Sequence, residues 1–407
     1  MTRSTPAARF IAVALIAIGC GSKPQKVIGP SSEPTTQSEA PRPNSTQQRA
    51  SDTQQGPAGA KPGSGAGESG SAPGPSAGKN VDIASLHPRS TSEIRLLGAD
   101  DKAAPDLIVS RGTRRFTREG VGSGISITLR NEFIEQYKNK VTIDATYTID
   151  AASKVHPPKD DGEIHIAGRA PEIQLPTVAE IMQAKSEKGP IAKVNALAGT
   201  DETISVTGAW RIWCEHAGGG AQVQGAPLEQ FDTSNPDHVF EIHPVTKFGD
   251  ASLLSTFVPT PGYEPKEAEN AFMAYEQVPS TISVDKDTTT VVTRAVGNNF
   301  VDFILQVSGE PLDVDDGRFL IASALSADGD LVVRNRRMVF VKGTKPYGDV
   351  SGLKIGDCLH VIGIPRVDLA LVSWRARHAQ DRPEALNWTL PYEIIVVASK
   401  GKVACEK

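Results

Sequence analysis

Residues 140–149 read KVTIDATYTI. Val141, Ile143, Ala145, Tyr147 and Ile149 alternate with polar neighbours, a period of two rich in β-branched residues, which is the pattern of a half-buried strand. Outward from it, Asp160-Asp161-Gly162 marks a turn, and 163–167 (EIHIA) alternates again. Residues 177–182 (TVAEIM) form a third short strand or the start of a helix. In 186–197, Ile191, Val194 and Leu197 fall three apart, a helical spacing that Gly189-Pro190 interrupts. Residues 203–213 (TISVTGAWRIW) and 239–248 (VFEIHPVTKF) read as two further strands. Three strands, a helix and two strands is the order of the OB-fold, a small Greek-key barrel. We expect it over about 131–250.

The pieces Asp161-Gly162-Glu163-Ile164-His165, Val178-Ala179-Glu180-Ile181, Val206-Thr207-Gly208, His216 and Glu241-Ile242-His243-Pro244-Val245 follow one another in this order. In this the chain resembles a widespread group of uncharacterised secreted bacterial proteins with the pattern DGDxH, AEI, a TG strand ending in His, then E[IL]HPV. The resemblance spans roughly 161–248. It implies the OB-like fold and carries no activity with it. Glu163 stands where the pattern usually has Asp, and Ala217-Gly218-Gly219-Gly220 departs from its loop after the histidine.

Five of the eight histidines lie between His156 and His243. Glu163 and His165 are two apart and share a strand face, as do Glu241 and His243, while Phe240 and Ile242 point the other way into the core. Adjacent strands of a small barrel would bring His165, Glu180, His216, Glu241 and His243 together. Such a set is either a hydrogen-bonded network that pins strand register or a site for a divalent metal, with zinc the first candidate. If it is a site, His216 and His243 are expected as direct ligands. There is no HExxH and no paired CxxC. Cys214 reads as a buried thiol. Of Trp210 and Trp213, three apart on one strand, at least one belongs to the core.

Composition sets the layout. The chain has 407 residues, a net charge of −5, 39% hydrophobic and 5% aromatic residues. That hydrophobic share is below the roughly 45–50% of an ordinary globular chain, and the deficit is local: no aromatic lies between Phe10 and Phe116. Arg3 and Arg9 precede the apolar run Phe10 to Ile18, about half of the ~20 residues needed to span a bilayer, so 1–19 reads as a secretory signal. Ala17-Ile18-Gly19-Cys20 resembles a bacterial lipobox, which implies lipidation of Cys20 and attachment to a membrane. Gly21 in place of Asp implies, by resemblance to enterobacterial sorting, the outer membrane. Residues 20–91, rich in Ser, Gly and Pro, form a disordered tether with an r.m.s. span on the order of 45 Å. The acidic balance excludes a globally basic nucleic-acid binder, and no nucleic-acid partner is expected. The arginines at 111, 114, 115 and 118 read as a solvated loop.

The fold class is thus mainly β. An OB-like five-stranded barrel with one helix occupies 92–250, and a second β-rich domain, a barrel or a sandwich and open to an OB-like reading, occupies 251–407. Within the latter we expect a short helix at 266–275, with Ala268, Phe272 and Tyr275 on one side. Strands are expected at 288–294, 300–307, 319–325, 337–341, 358–364, 369–375 and 392–398. Asp313, Asp315 and Asp316 lack calcium-loop spacing and read as a solvated turn. Cys358 and Cys405 are candidates for a disulfide worth on the order of 4 kcal/mol in the chain-entropy picture. The leading functional reading is a lipid-anchored envelope protein with non-enzymatic binding or structural modules. The alternatives are a metal-assisted envelope hydrolase using the His/Glu set and an oligosaccharide-binding module. Replacing Cys20 (Cys20→Ala) is expected to move the protein from the membrane to the soluble fraction, read by fractionation and immunoblot. A variant that stays membrane-bound refutes the anchor.

Overall fold

The alternating stretch at 140–149 forms the first strand of a closed sheet. The computed structural model describes residues 107–111, 125–217, 222–223, 228–378 and 386–405; the signal segment, Cys20, the tether, and the arginines at 114, 115 and 118 lie outside them. Strand β1 (Thr142–Ala152) buries Ile143, Ala145, Tyr147 and Ile149. It pairs with β2 (Ile164–Arg169), and β2 pairs with β3 (Thr177–Ile181). After helix α1 (Lys188–Leu197) come β4 (Thr203–Ile212) and β5 (Phe240–Phe248). β3 runs parallel to β5, β5 antiparallel to β4, and β4 closes onto β1. The ring 1-2-3-5-4-1 with a helix after the third strand is an OB-like barrel. Residues 177–182 resolve to strand. Gly189-Pro190 does not break α1, because Pro190 sits in its first turn, where no backbone N–H is needed.

The second β-rich unit repeats this connectivity. Its strands are β6 (Val301–Val307), β7 (Gly317–Leu325) and β8 (Leu331–Val341), then helix α2 (Lys345–Val350), then β9 (Cys358–Val367) and β10 (Tyr392–Val403). β6 pairs with β7, β7 with β8, β8 in parallel with β10, β10 with β9, and β9 with β6. The repeat reaches single residues. Residues 206–212 read VTGAWRI and 361–367 read VIGIPRV; 240–242 read FEI and 392–394 read YEI. Arg211 lies opposite Glu241 in register, and Arg366 lies opposite Glu393. Gly208 and Gly363 match as well: a Cβ would fall 2.5 Å from Ile242 Cγ2 at the first and 2.3 Å from Ile394 Cγ2 at the second.

These two arginines join the units. Arg211 is ion-paired with Glu241, and its Nε donates to the Pro365 carbonyl oxygen at 2.8 Å. Arg366 Nε meets Glu393 at 2.7 Å, and its Nη1 donates to the Trp210 carbonyl oxygen at 2.9 Å. Each guanidinium therefore binds the residue that precedes the other arginine. Its plane also lies over an aromatic ring, with Arg366 3.7 Å from the centroid of Trp210. Asp316 adds a further tie: its carboxylate accepts from the Val141 and Thr142 backbone N–H groups at 2.9 and 2.8 Å, which is more than the solvated turn expected of it.

A six-stranded sheet lies outside both rings. Its order is Asn387–Thr389, Pro279–Val284, Thr288–Thr293, Ile125–Arg130, Leu107–Arg111, Gln222–Val223. Residues 369–375, expected as a strand, are instead the helix Leu369–Arg377. Asp368 caps it by accepting from Leu371 N, and Leu369, Val372 and Ser373 turn inward at helical spacing. The helix Ala268–Glu276 buries Ala268, Phe272 and Tyr275. Cys358 and Cys405 form a disulfide with a Cα–Cα distance of 5.5 Å, tying the end of β10 to the start of β9. Among the described residues no helix is long and apolar enough to cross a membrane.

Replacing Arg366 with Leu removes the hydrogen-bonded partner of buried Glu393 and leaves it only the longer contact with Arg337 at 3.5 Å. We expect a loss of about 3–5 kcal/mol, read as a lower urea midpoint, with partial recovery in the double variant Arg366→Leu/Glu393→Leu.

Candidate metal centre

Strand register assembles the site. His165 on β2 pairs directly with Glu180 on β3. Ala179 pairs with Ile242, which carries Glu180 alongside His243 on β5. Glu163, just before β2, reaches the same point. His243 Nε2 lies 3.0 Å from Glu163 Oε1, while its Nδ1 lies 3.1 Å from Glu180 Oε2 and 3.3 Å from Glu241 Oε2. Donor atoms of Glu163, Glu180 and His243 all fall within 4.8 Å of one another, so this buried His/Glu cluster is capable of coordinating a divalent metal. It is almost free of solvent: His243 is 0% and Glu163 2% exposed. The ring of Phe300 closes it at 5.9 Å from the imidazole.

Burial and charge oppose each other here. Burial pulls the His243 imidazole toward its neutral form, but the Glu180 and Glu163 carboxyls outweigh it and raise the imidazole well above its usual range. Burial dominates at Glu180 and pushes its carboxyl up, only partly offset by His243. Burial would also raise Glu241, yet Arg211, the nearby His238 and the hydrogen bond with His243 hold it well below the carboxylate range. Three carboxyl groups thus face two cationic partners, and the excess is relieved by a proton on Glu180 or by a metal ion.

Of the residues singled out in the sequence, Glu180, Glu241 and His243 meet. His165 stands at the rim of the set, half-buried, with Nε2 3.8 Å from Glu180 Oε1. His216 does not join; its ring stacks on His238 at 5.1 Å. Cys214 is free and buried, its thiol pushed up to about 12 by burial. Trp210 and Trp213 are both buried, so neither offers a stacking face. The set of five drawn from the sequence left out His156, Asp161 and Arg211, and also Glu163, although Glu163 shares the strand face of His165. The turn Asp160-Asp161-Gly162 placed between two alternating strands was the signal for His156, Asp161 and Glu163, because it folds 156 back against 163.

The second unit shows what the fold alone requires. Anchored on the Arg–Glu pairs and followed through the strand register, Glu163 corresponds to Gly317, His165 to Phe319, Glu180 to Val339 and His243 to Ile395. Phe319, Val339 and Ile395 pack in one apolar cluster. The Arg–Glu pair recurs in both units; the Glu/His set does not.

No family model matches the chain, and no curated protein matches it. A solved structure described as "Structural mimicry for functional antagonism" is 10% identical and covers 57% of this chain and 90% of its own, with a TM-score of 0.15. A deletion mutant of the single-stranded DNA binding protein from Thermus aquaticus is 10% identical and covers 73% and 92%, with a TM-score of 0.18. TM-scores this low carry no argument, and the OB-like assignment rests on the strand pairings.

Burial, then the neighbouring His156, lowers the His165 imidazole from its usual 6.5 to about 4. The unfolded chain therefore takes up this proton first. The stability tied to the neutral ring is complete above about 6.5 and is lost as pH falls from there toward 4. In metal-free protein we expect the urea midpoint to drop across that window more steeply than in His165→Gln, with the His165 ring signals titrating near 4 by NMR. Equal slopes in the two proteins contradict this environment.

Proposed function

We propose that this protein is a metal-binding module of the cell envelope, carried on the lipid at Cys20 and the tether that follows it. Its first OB-like unit holds a divalent ion, with zinc the first candidate, through Glu163, Glu180 and His243. The observation that carries this reading is the apolar replacement of the same positions in the second unit. A ring of this topology closes with Gly317, Val339 and Ile395 where the first unit has Glu163, Glu180 and His243, and with Phe319 in place of the adjoining His165. Buried ionisable groups are expensive, and here the architecture does not ask for them. A role as a register pin alone is therefore disfavoured.

The donor set supports the ion. One imidazole nitrogen and carboxylate oxygens suit zinc and similar dications. His243 Nδ1 also lies 3.3 Å from Glu241 Oε2, so Nε2 is available to the metal while Nδ1 donates to Glu241, the arrangement that fixes ring orientation in metal sites. A dication also replaces the proton that the surplus carboxyl otherwise retains, so binding weakens toward acid.

Zinc titrated into metal-free full-length protein by calorimetry is expected to bind and to raise the melting temperature. The variant Glu180→Val/His243→Ile, which installs the second unit's residues at these two positions, is expected to fold and to lose both that binding and the melting shift. Unchanged binding and shift in this variant refute the site.

A further inference from the structure

A second group of donors lies at the rim of the same barrel. We propose that His156, Asp161 and His165 form a separate, solvent-open divalent-metal site, of the two-histidine, one-carboxylate type that suits a borderline dication such as zinc. This goes beyond the buried ion, since none of the three residues is a ligand of that site.

The geometry is built by the backbone. The β1–β2 hairpin continues past its strands: Ser153 N donates to the His165 carbonyl oxygen, and His156 N donates to the Glu163 carbonyl oxygen, both at 2.8 Å. This sets His156 beside His165, with ring centroids 4.6 Å apart and planes at 69°. Gly162 then turns the chain at φ +77°, which few side chains tolerate, and aims Asp161 back at His156. His156 Nδ1 lies 2.9 Å from Asp161 Oδ1, which also accepts from Glu163 N at 3.0 Å. Donor atoms of all three residues fall within 4.8 Å of one another.

The surroundings differ from those of the buried set. The side chains of His156, Asp161 and His165 remain 30%, 23% and 21% exposed, so an ion there keeps positions for water or a ligand. The location is the loop between the first two strands together with the face of strands two and three, the surface on which OB barrels take their ligands. Glu180 faces both groups: Oε1 lies toward His165 at 3.8 Å and Oε2 toward His243 at 3.1 Å. A dication held by His156, Asp161 and His165 would lower the pKa of a water bound to it.

The test is zinc and cobalt(II) titration of the detergent-solubilised full chain, with folding checked by circular dichroism. We expect two equivalents of zinc in the parent. His156→Ala and Asp161→Asn should each remove one equivalent and its share of the cobalt visible bands, while Glu180→Val/His243→Ile removes the other. If His156→Ala and Asp161→Asn leave stoichiometry and spectrum unchanged, the rim site is overturned, whatever the buried one does. If only one equivalent binds and the rim variants abolish it while the buried double variant does not, the rim site stands and the buried reading fails.

Discussion

Two guanidinium groups without access to water organise this molecule. Arg211 and Arg366 each need partners for several N–H donors, and an unpaired buried charge is among the costliest defects a fold can contain. Each finds a carboxylate on the neighbouring strand of its own unit and a carbonyl oxygen in the other unit. The cross-bonds have one geometry only, with each arginine reaching the residue before its counterpart. Apolar packing alone would tolerate sliding between the units; this reciprocal arrangement does not. It also places Phe300 against His243 on β5 and Asn299, which accepts from the Arg211 guanidinium, against the end of β4. That cover takes His243 and Glu241 out of solvent and gives their charges strength.

The duplicated topology separates two kinds of buried polarity. The Arg–Glu pairs occur twice and belong to the way the units meet. The Glu163, Glu180 and His243 set occurs once, at positions where the second unit has Gly317, Val339 and Ile395 and no ionisable group. Within a single chain the second unit therefore acts as a natural reference for the first, in which strand order and register are kept while the chemistry is exchanged.

Much of the first ring was legible in the sequence, because period-two alternation at 140–149 and 239–248 and the spacing around the intervening helix are local signals. The meeting of Glu180 with His243 was legible too, since strand neighbours in an OB order are few. Other features depended on partners far away in the chain. Nothing local to Arg211 tells that Pro365 is its acceptor. The repeat of VTGAWRI by VIGIPRV is weak as a string and becomes clear only when register aligns the arginines. At 369–375 the short apolar run Leu-Ala-Leu-Val imitated a strand, and the deciding residue was the cap Asp368, which lies before it. His216 sits in the long connection between β4 and β5, where strand geometry no longer dictates direction.

The outer sheet bears on how the chain can be divided. Ile125–Arg130, ahead of the first ring, pairs with Thr288–Thr293, ahead of the second, and Pro279–Val284 pairs with Asn387–Thr389, which lies between the last two strands of the second ring. A cut near residue 250 would separate the two rings yet leave this sheet shared between the fragments, each with open backbone edges. The two units are alike in connectivity, but the molecule is not two beads on a string. The shared sheet makes the described residues one indivisible piece, and neither half can be exchanged or lost without exposing the seam of the other.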